Sequence, residues 1–189
     1  MPSRNILIVV NYFSPYVSGV SEYAKQVALT LADDNEVTVL TIRNDVSQTT
    51  EEIMDGFKVV RAKPDFFINK GYLSRDFIKK FIRLASHSDV VNLHLPMLES
   101  GLFVKLTKKP ILVTYQCDMA YVGNLMSRLA VLAVKFSMNA ALRGAEKIVV
   151  LSRDYGLSSK NVQKFHNKVV EIAPPNRFYS HPIGKVEHP

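Results

Sequence analysis

The sequence lacks most of the short signatures that announce a chemistry. It contains no GxGxxG, no GxxxxGK[ST], no GxSxG and no HExxH, which disfavours a standard dinucleotide site, a P-loop, a hydrolase elbow and a zincin. No Asp-x-Asp pair occurs, which removes one usual way of holding a divalent cation on a nucleotide diphosphate. Cysteine is nearly absent: Cys117 stands alone, so an internal disulfide and a cysteine-cluster metal site are excluded, and a reducing cytoplasm is the simplest expectation. His87, His166, His181 and His188 are scattered without metal-ligand spacing. Long apolar runs are missing as well. The longest candidate, Leu125 to Leu142, is interrupted by Arg128 and Lys135, whereas a spanning helix needs roughly 20 mostly apolar residues. It reads as a helix that is buried or touches a membrane from the side. The apolar run at the N-terminus, Ile6 to Val10, is too short for a secretory signal core and reads as a buried strand.

What is present fits one domain. The 189 residues are 47% hydrophobic, enough for a core, and 24 Lys and Arg against 17 Asp and Glu give a formal charge of +7, which favours anionic partners. Strand-like runs recur at Ile6 to Val10, Glu36 to Thr41, Lys58 to Ala62, Val90 to Leu93, Ile111 to Thr114, Lys147 to Leu151 and Lys168 to Ile172. Most are near-continuous Val, Ile and Leu, the pattern of strands covered on both faces. From Val20 the apolar positions Val20, Tyr23, Ala24, Val27, Ala28 and Leu31 follow helical spacing. Further helices are expected over Leu73 to Ala85, Met97 to Lys105 and Asn124 to Leu142. Strand alternating with helix predicts an α/β fold: a Rossmann-like, doubly wound, mainly parallel sheet flanked by helices. The polar segment Asn44 to Asp55 reads as a surface loop, and the proline-rich end after Ile172 as an exit linker.

In such sheets ligands bind beyond the carboxyl ends of the strands, so the residues just after each strand are the candidates. After the first strand, "NYFSPYVSGVSEY" leads into a helix, and Gly19 stands where a residue without Cβ lets an anion approach free N–H groups at the positive helix end. The alternative is that Gly19 only turns the chain and Ser18 or Ser21 caps the helix. "TYQCDM" puts Tyr115, Gln116, Cys117 and Asp118 at the same edge. Asp118 could orient or accept a proton from a hydroxyl, and Gln116 could hold a sugar hydroxyl but cannot be a general base. The alternative is a helix cap for Asp118 and a loop hydrogen bond for Gln116. Cys117 reads as a packing residue, and His94 in "NLHLP" is either structural or part of the same edge. Lys58 to Arg83 holds eight basic and two acidic residues. With Phe66, Phe67 and Tyr72 beside Lys79, Lys80 and Arg83, it resembles an interfacial basic helix facing a membrane, or else a sheet-packed helix with a solvated face. Nucleic acid is the poorer partner, because no recognised nucleic-acid motif accompanies the charge.

Several stretches together resemble a known family. "ILIVVNYFSPYVSGVSEYAKQVALTLADDNEVTVLT", "DVVNLHLP", "KKPILVTYQCDM" and "AEKIVVLSRDYGLSSKNVQKFHNKVVEIAPP" are similar, in order, to the N-terminal half of retaining GT-B glycosyltransferases of the large group-one type, over Asn5 to Pro175. The resemblance implies that residues 1–175 form an acceptor-binding half. Residues 176–189 would then lead toward a second Rossmann-like, C-terminal half that carries most of the donor site and is not in this sequence. It implies transfer from a nucleotide-sugar donor to a glycan or lipid-linked acceptor with retention, without a cofactor or required metal. The expected setting is the cytoplasm, at the inner membrane face, and the chain alone is expected to transfer little. The family loop against donor phosphates or acceptor maps onto Ser18 and Gly19, with Tyr12 and Tyr16 packing on the acceptor. His94 and Tyr115 fall at the same edge. Two departures stand out: Ser18 replaces the first glycine of a common pair, and Gln116 replaces a common histidine near the transferred sugar, while Asp118 matches the acid that often follows. The alternative is a non-enzymatic glycan- or nucleotide-binding module, or the partner subunit of a split enzyme.

Overall fold

The computed structural model describes residues 2–68, 71–118 and 125–173. In chain order the elements are β1 (Asn5–Val9), α1 (Gly19–Leu31), β2 (Glu36–Ile42), β3 (Glu51–Met54), β4 (Phe57–Ala62), β5 (Phe66–Ile68), β6 (Gly71–Leu73), α2 (Arg75–Ser86), β7 (Val90–Leu95), α3 (Ser100–Leu106), β8 (Ile111–Tyr115), α4 (Leu125–Gly144), β9 (Lys147–Val150), α5 (Arg153–Ser158), α6 (Lys160–Gln163) and, after a 3-10 turn, β10 (Val169–Glu171). Eight strands form one sheet in the order β10-β9-β8-β7-β1-β2-β4-β3, and β5 and β6 form a separate antiparallel pair. Every pairing in the large sheet is parallel except β3 with β4. This is the doubly wound α/β sheet that the Val/Ile/Leu runs predict. Its order reverses at β1, which pairs β2 on one side and β7 on the other. The crevice beyond the carboxyl ends of β1 and β7 is therefore the topological switch point.

The alternation of side chains along each strand divides the core in two. Ile6, Ile8, Val37, Val39, Phe57 and Val59 face α1 through Ala24 and Ala28. Leu7, Val9, Leu40, Val60, Leu93 and Val113 face the other way, against Phe77 and Phe81 of α2, Phe103 of α3 and Met138 and Leu142 of α4. Phe103 stacks on Phe81 at 3.9 Å between ring centroids and meets Phe77 edge-on at 5.3 Å, pairs worth about 0.5–1.5 kcal/mol each beyond their buried area. Gly101 and Gly144 let α3 and α4 touch: a Cβ at Gly101 would stand 2.7 Å from the Ser137 carbonyl oxygen, and one at Gly144 would stand 2.1 Å from Val104 Cγ1.

Three expectations need correction, the first being that the helix expected from Leu73 starts at Arg75, because Leu73 pairs with Phe66 in the β5 and β6 hairpin and Ser74 caps the helix by accepting the Phe77 N–H at 2.9 Å. The polar segment from Asn44 to Asp55 is not wholly a loop, because Glu51–Met54 pairs antiparallel with β4 across a two-residue turn. Asp55 and Gly56 adopt φ of 48° and 92°, the left-handed conformations that an Asp-Gly hairpin turn requires. The charges that make this strand look like a loop suit a sheet edge and are paired across it: Glu51 with Lys58 at 2.6 Å, and Glu52 with Arg61 at 2.6 Å. The helix expected from Met97 begins at Ser100, because Met97 is buried and its carbonyl accepts the Ser100 hydroxyl at 2.8 Å. Asn124 and the stretch 176–189 lie outside the described residues.

Candidate functional site

The opening loop meets α1 through a closed capping arrangement. Ser18 Oγ accepts the Ser21 N–H at 3.2 Å, the Ser18 N–H donates to Ser21 Oγ at 2.8 Å, and the Ser21 hydroxyl donates to the Ser18 carbonyl at 3.0 Å. Ser18 is thus the N-cap that the sequence allows, and it fixes the direction of the first turn. Gly19 follows it with an exposed backbone, a Cβ built there meets nothing within 4 Å, and its φ is not in the left-handed region. Neither packing nor backbone conformation within the described residues accounts for a glycine at this position. Among those residues, no partner takes the N–H groups of Gly19 and Val20. They face outward with the positive end of a 13-residue helix behind them.

One turn into the helix, the Tyr23 ring lies 5.9 Å from the His94 ring at the end of β7. Gly19 is four residues earlier on the same face, about 6 Å further toward the strand ends. His94 is 1% exposed, and burial pushes its imidazole down to about 3, so the ring is neutral. The Gln116 amide nitrogen is 2.9 Å from His94 Nδ1. An amide NH2 can only donate, so Nδ1 accepts and the ring proton sits on Nε2. That Nε2 is buried without a partner among the described residues. Leaving a buried donor unpaired costs roughly 1–3 kcal/mol, the kind of local penalty that functional sites carry.

Tyr115 and Asp118 are tied to a different neighbour. The Tyr115 hydroxyl donates to Asp118 Oδ1 and lies 3.0 Å from Ser159 Oγ, and Asn161 Nδ2 donates to the same Asp118 oxygen at 3.1 Å. Burial alone would raise the Asp118 carboxyl, but the hydrogen bonds from Tyr115, Ser159 and Asn161 outweigh it and hold the group below the usual aspartate value. Burial first, and Asp118 second, push the Tyr115 phenol up. The pair clamps the loop after β8 to α6, with Tyr115 buried and Asp118 at the surface. Cys117 is half-buried, and burial raises its thiol, which keeps it protonated.

The Tyr12 and Tyr16 rings meet at 4.8 Å between centroids, tilted by 31°, and Tyr72 of β6 closes on Tyr12 at 5.6 Å. Burial and the neighbouring phenols raise Tyr12 to about 12. The three rings form an aromatic shelf beside the opening loop, with Tyr16 exposed at its rim. Next to it Arg61 of β4, buried on the α1 face, donates to the Ser14 carbonyl at 2.8 Å and pairs with Glu52. An open basin of about 560 Å³ lies here, lined by Ser14, Pro15, Lys25, Gln48, Thr49, Glu52 and Arg61. Composition hides Arg61 inside a basic stretch. The signal for it is its register: in "FKVVRA" it shares the inward face with Phe57 and Val59.

The structure brings Ser18, Gly19, His94 and Gln116 to the switch point, places Tyr12 and Tyr16 along one flank, and turns Tyr115 and Asp118 toward α6. Of the basic stretch, Arg61 and Tyr72 reach the opening loop, and α2 lies apart from it. α2 packs Phe77, Phe81 and Ala85 inward, Lys80 bonds Asp76 at 2.6 Å and the Arg61 carbonyl at 3.1 Å, Arg83 lies 3.5 Å from Glu51, and Lys79 and Phe66 are exposed. Phe67 lies on β5, and its side chain is outside the described residues. Among the described residues no group of three or more His, Cys, Asp or Glu could hold a metal ion, and no helix is long and apolar enough to cross a membrane.

No protein-family model and no curated protein matches the chain. Solved structures do. Sucrose-phosphate synthase from Thermosynechococcus elongatus superimposes with a TM-score of 0.63 at 14% identity, over 90% of this chain and 48% of that one. HepE from Anabaena, in complex with UDP and glucose, gives 0.57 at 15% identity, over 90% of this chain and 44% of that one. A shorter piece of the same synthase is covered over 91% of its length, with 93% of this chain, at 16% identity and a TM-score of 0.59. The chain thus spans about half the length of the whole structures it resembles, and what the likeness shows is its fold: a Rossmann-like α/β unit of the kind found in GT-B glycosyltransferases.

Proposed function

We propose that this chain is the acceptor-binding half of a glycosyltransferase that moves a sugar from a nucleotide-sugar donor to a glycan or lipid-linked acceptor, with retention at the anomeric carbon. The observation that carries the reading is the unexplained glycine at the switch point. Gly19 opens the N-terminus of α1, its N–H and that of Val20 have no partner among the described residues, and nothing fills the space where its Cβ would be. That is what the approach of a diphosphate to a helix N-terminus requires. HepE is bound to UDP and glucose, or to UDP-glucose, in structures of similar fold, which supports a nucleotide-sugar donor.

The roles divide as follows. Gly19 and Val20 donate backbone N–H groups to phosphate or acceptor oxygens. Gln116, with its amide nitrogen on His94, keeps its carbonyl oxygen for a sugar hydroxyl. Asp118 positions the loop after β8 and is not a base, because its carboxylate is held by Tyr115 and Asn161. A retaining transfer run by donor phosphate and cleft electrostatics needs no protein base at this position, and no metal. The acceptor takes the flank where Tyr12 and Tyr16 meet and where Arg61 and Glu52 line an open basin suited to sugar hydroxyls. A second Rossmann-like half completes the donor site. The test is acceptor-dependent release of UDP from UDP-glucose by the full-length protein, and its loss in Gly19→Asp. Donor or glycan binding without transfer would make this a binding module.

A further inference from the structure

Among the described helices, α4 carries the longest stripe of exposed apolar side chains. Its buried side is complete: Met138, Ala141 and Leu142 enter the core, and Ser137, Ala140 and Gly144 meet α3. On the opposite side Leu129, Leu132 and Phe136 are 55%, 51% and 81% exposed. The spacing i, i+3, i+7 aligns them along one stripe about 10 Å long. Arg128 and Arg143 are exposed beside the stripe, half-buried Lys135 acts electrostatically on Asp118, and no acidic residue occurs from Leu125 to Gly144. The helix is anchored by its small-residue contact with α3, so the stripe is presented on a rigid element.

We propose that this face of α4 docks onto an anionic phospholipid surface, lying in the plane of the interface with Phe136, Leu132 and Leu129 entering the headgroup boundary. Charge complementarity selects this occupant. Arginines flanking an apolar stripe, with no acidic residue on the helix, match a layer of lipid phosphates, and their long stems let the cations reach those phosphates while the stripe is immersed. The basic stretch singled out in the sequence is the weaker surface. On α2, Lys80 is bonded to Asp76 and Arg83 faces Glu51, and the large aromatic side chains Phe77 and Phe81 are in the core. The inference stands independently of the sugar-transfer reading, since it uses none of the switch-point residues.

The sequence has no tryptophan, so one introduced residue reports on one place. The full chain carrying Phe136→Trp is titrated with vesicles of equal parts phosphatidylglycerol and phosphatidylcholine, and Ile82→Trp, exposed on α2, serves as the comparison. The expected result is a blue shift for Phe136→Trp with the mixed vesicles and none with phosphatidylcholine alone, while Ile82→Trp stays at its solvent value. Arg128→Gln with Arg143→Gln should weaken binding roughly tenfold or more, given about 1 kcal/mol per cation near an anionic surface. Phe136→Asp should abolish sedimentation with the mixed vesicles. If that variant lost its fold by circular dichroism, the two tryptophan reporters would decide alone. Absence of binding to the mixed vesicles, or a shift at Ile82→Trp and not at Phe136→Trp, overturns the proposal. Lipid-independent self-association that disappears with the charge at position 136 would overturn it in favour of a second copy.

Discussion

Replacing Gly19 and Gly101 by alanine, one at a time, separates a glycine kept for a ligand from one kept for packing. At Gly101 the added methyl meets the Ser137 carbonyl oxygen at 2.7 Å and Ala140 Cβ at 3.0 Å. Neither can rotate away, so α3 must lift from α4. Overpacking of this kind costs roughly 1–3 kcal/mol. At 2–4 °C per kcal/mol for a domain of this size, the midpoint of thermal unfolding should fall by about 2–12 °C. At Gly19 the same methyl meets nothing within 4 Å, and the backbone is one that alanine adopts freely. Gly19→Ala should therefore be neutral, or stabilising by up to about 1 kcal/mol through helix propensity and a less flexible unfolded chain. Differential scanning calorimetry reads both. A binding titration with UDP-glucose, in the protein assembled with its donor half, then asks about function. Gly19→Ala should weaken binding, and Gly19→Asp should abolish it, because a carboxylate would stand before the free N–H groups. A fall in the melting midpoint at Gly19→Ala as large as that at Gly101→Ala would refute the reasoning, because the glycine would then have a structural cause.

Ser18→Ala removes the cap on α1 and should cost about 1 kcal/mol, read as a lower denaturation midpoint with an unchanged slope. Arg61→Met leaves Glu52 and the Ser14 carbonyl without their cation and should cost roughly 3 kcal/mol, with the opening loop losing protection from hydrogen exchange. Two buried groups set the pH dependence in opposite directions. Burial raises Glu99 to about 7, so its contribution is full below its ordinary value and lost as pH rises toward 7; burial lowers His94 to about 3, so its contribution is full above its ordinary value and lost as pH falls below it. Between about pH 4.5 and 6.5 the two slopes oppose each other, and the unfolding free energy should be nearly flat. Glu99→Gln should unmask a loss of stability on acidification across that range, and His94→Gln a loss on alkalinisation. Unchanged profiles in both variants would contradict the burial of these groups.

The sheet was readable because its strands are buried on both faces and so carry unbroken Val, Ile and Leu. The run from Ile6 to Val10, the run from Ile111 to Thr114 and their companions all became strands. The edge strand Glu51–Met54 was not readable from hydrophobicity, since an edge is stabilised by charge pairs that look like loop composition. The turn Asp55-Gly56 is the local signal that identifies it. The β5 and β6 pair is likewise short and carries no alternation long enough to register. At the site, the positions after the strands could be named from topology alone, but their connections could not. Gln116 reaches back across the sheet to His94, whereas Asp118, two residues on, turns to Tyr115 and Asn161. Strand alternation would put Gln116 and Asp118 on one face, but β8 ends at Tyr115, so the period is lost beyond it and only three-dimensional packing says which side holds a partner. Arg61 was visible only as one of many cations, because its meaning comes from being the charged member of an inward-facing set.

The central claim is sugar transfer built on the crevice at Gly19, and the most direct measurement is label transfer from UDP-glucose carrying a radiolabelled sugar to a panel of glycan and lipid-linked acceptors by the full-length protein. The account predicts a labelled product of retained anomeric configuration, formed together with UDP, that disappears in Gly19→Asp while the melting midpoint is preserved. Label transfer undiminished in Gly19→Asp, or no transfer from UDP-glucose or any other nucleotide sugar despite saturable binding, would contradict it.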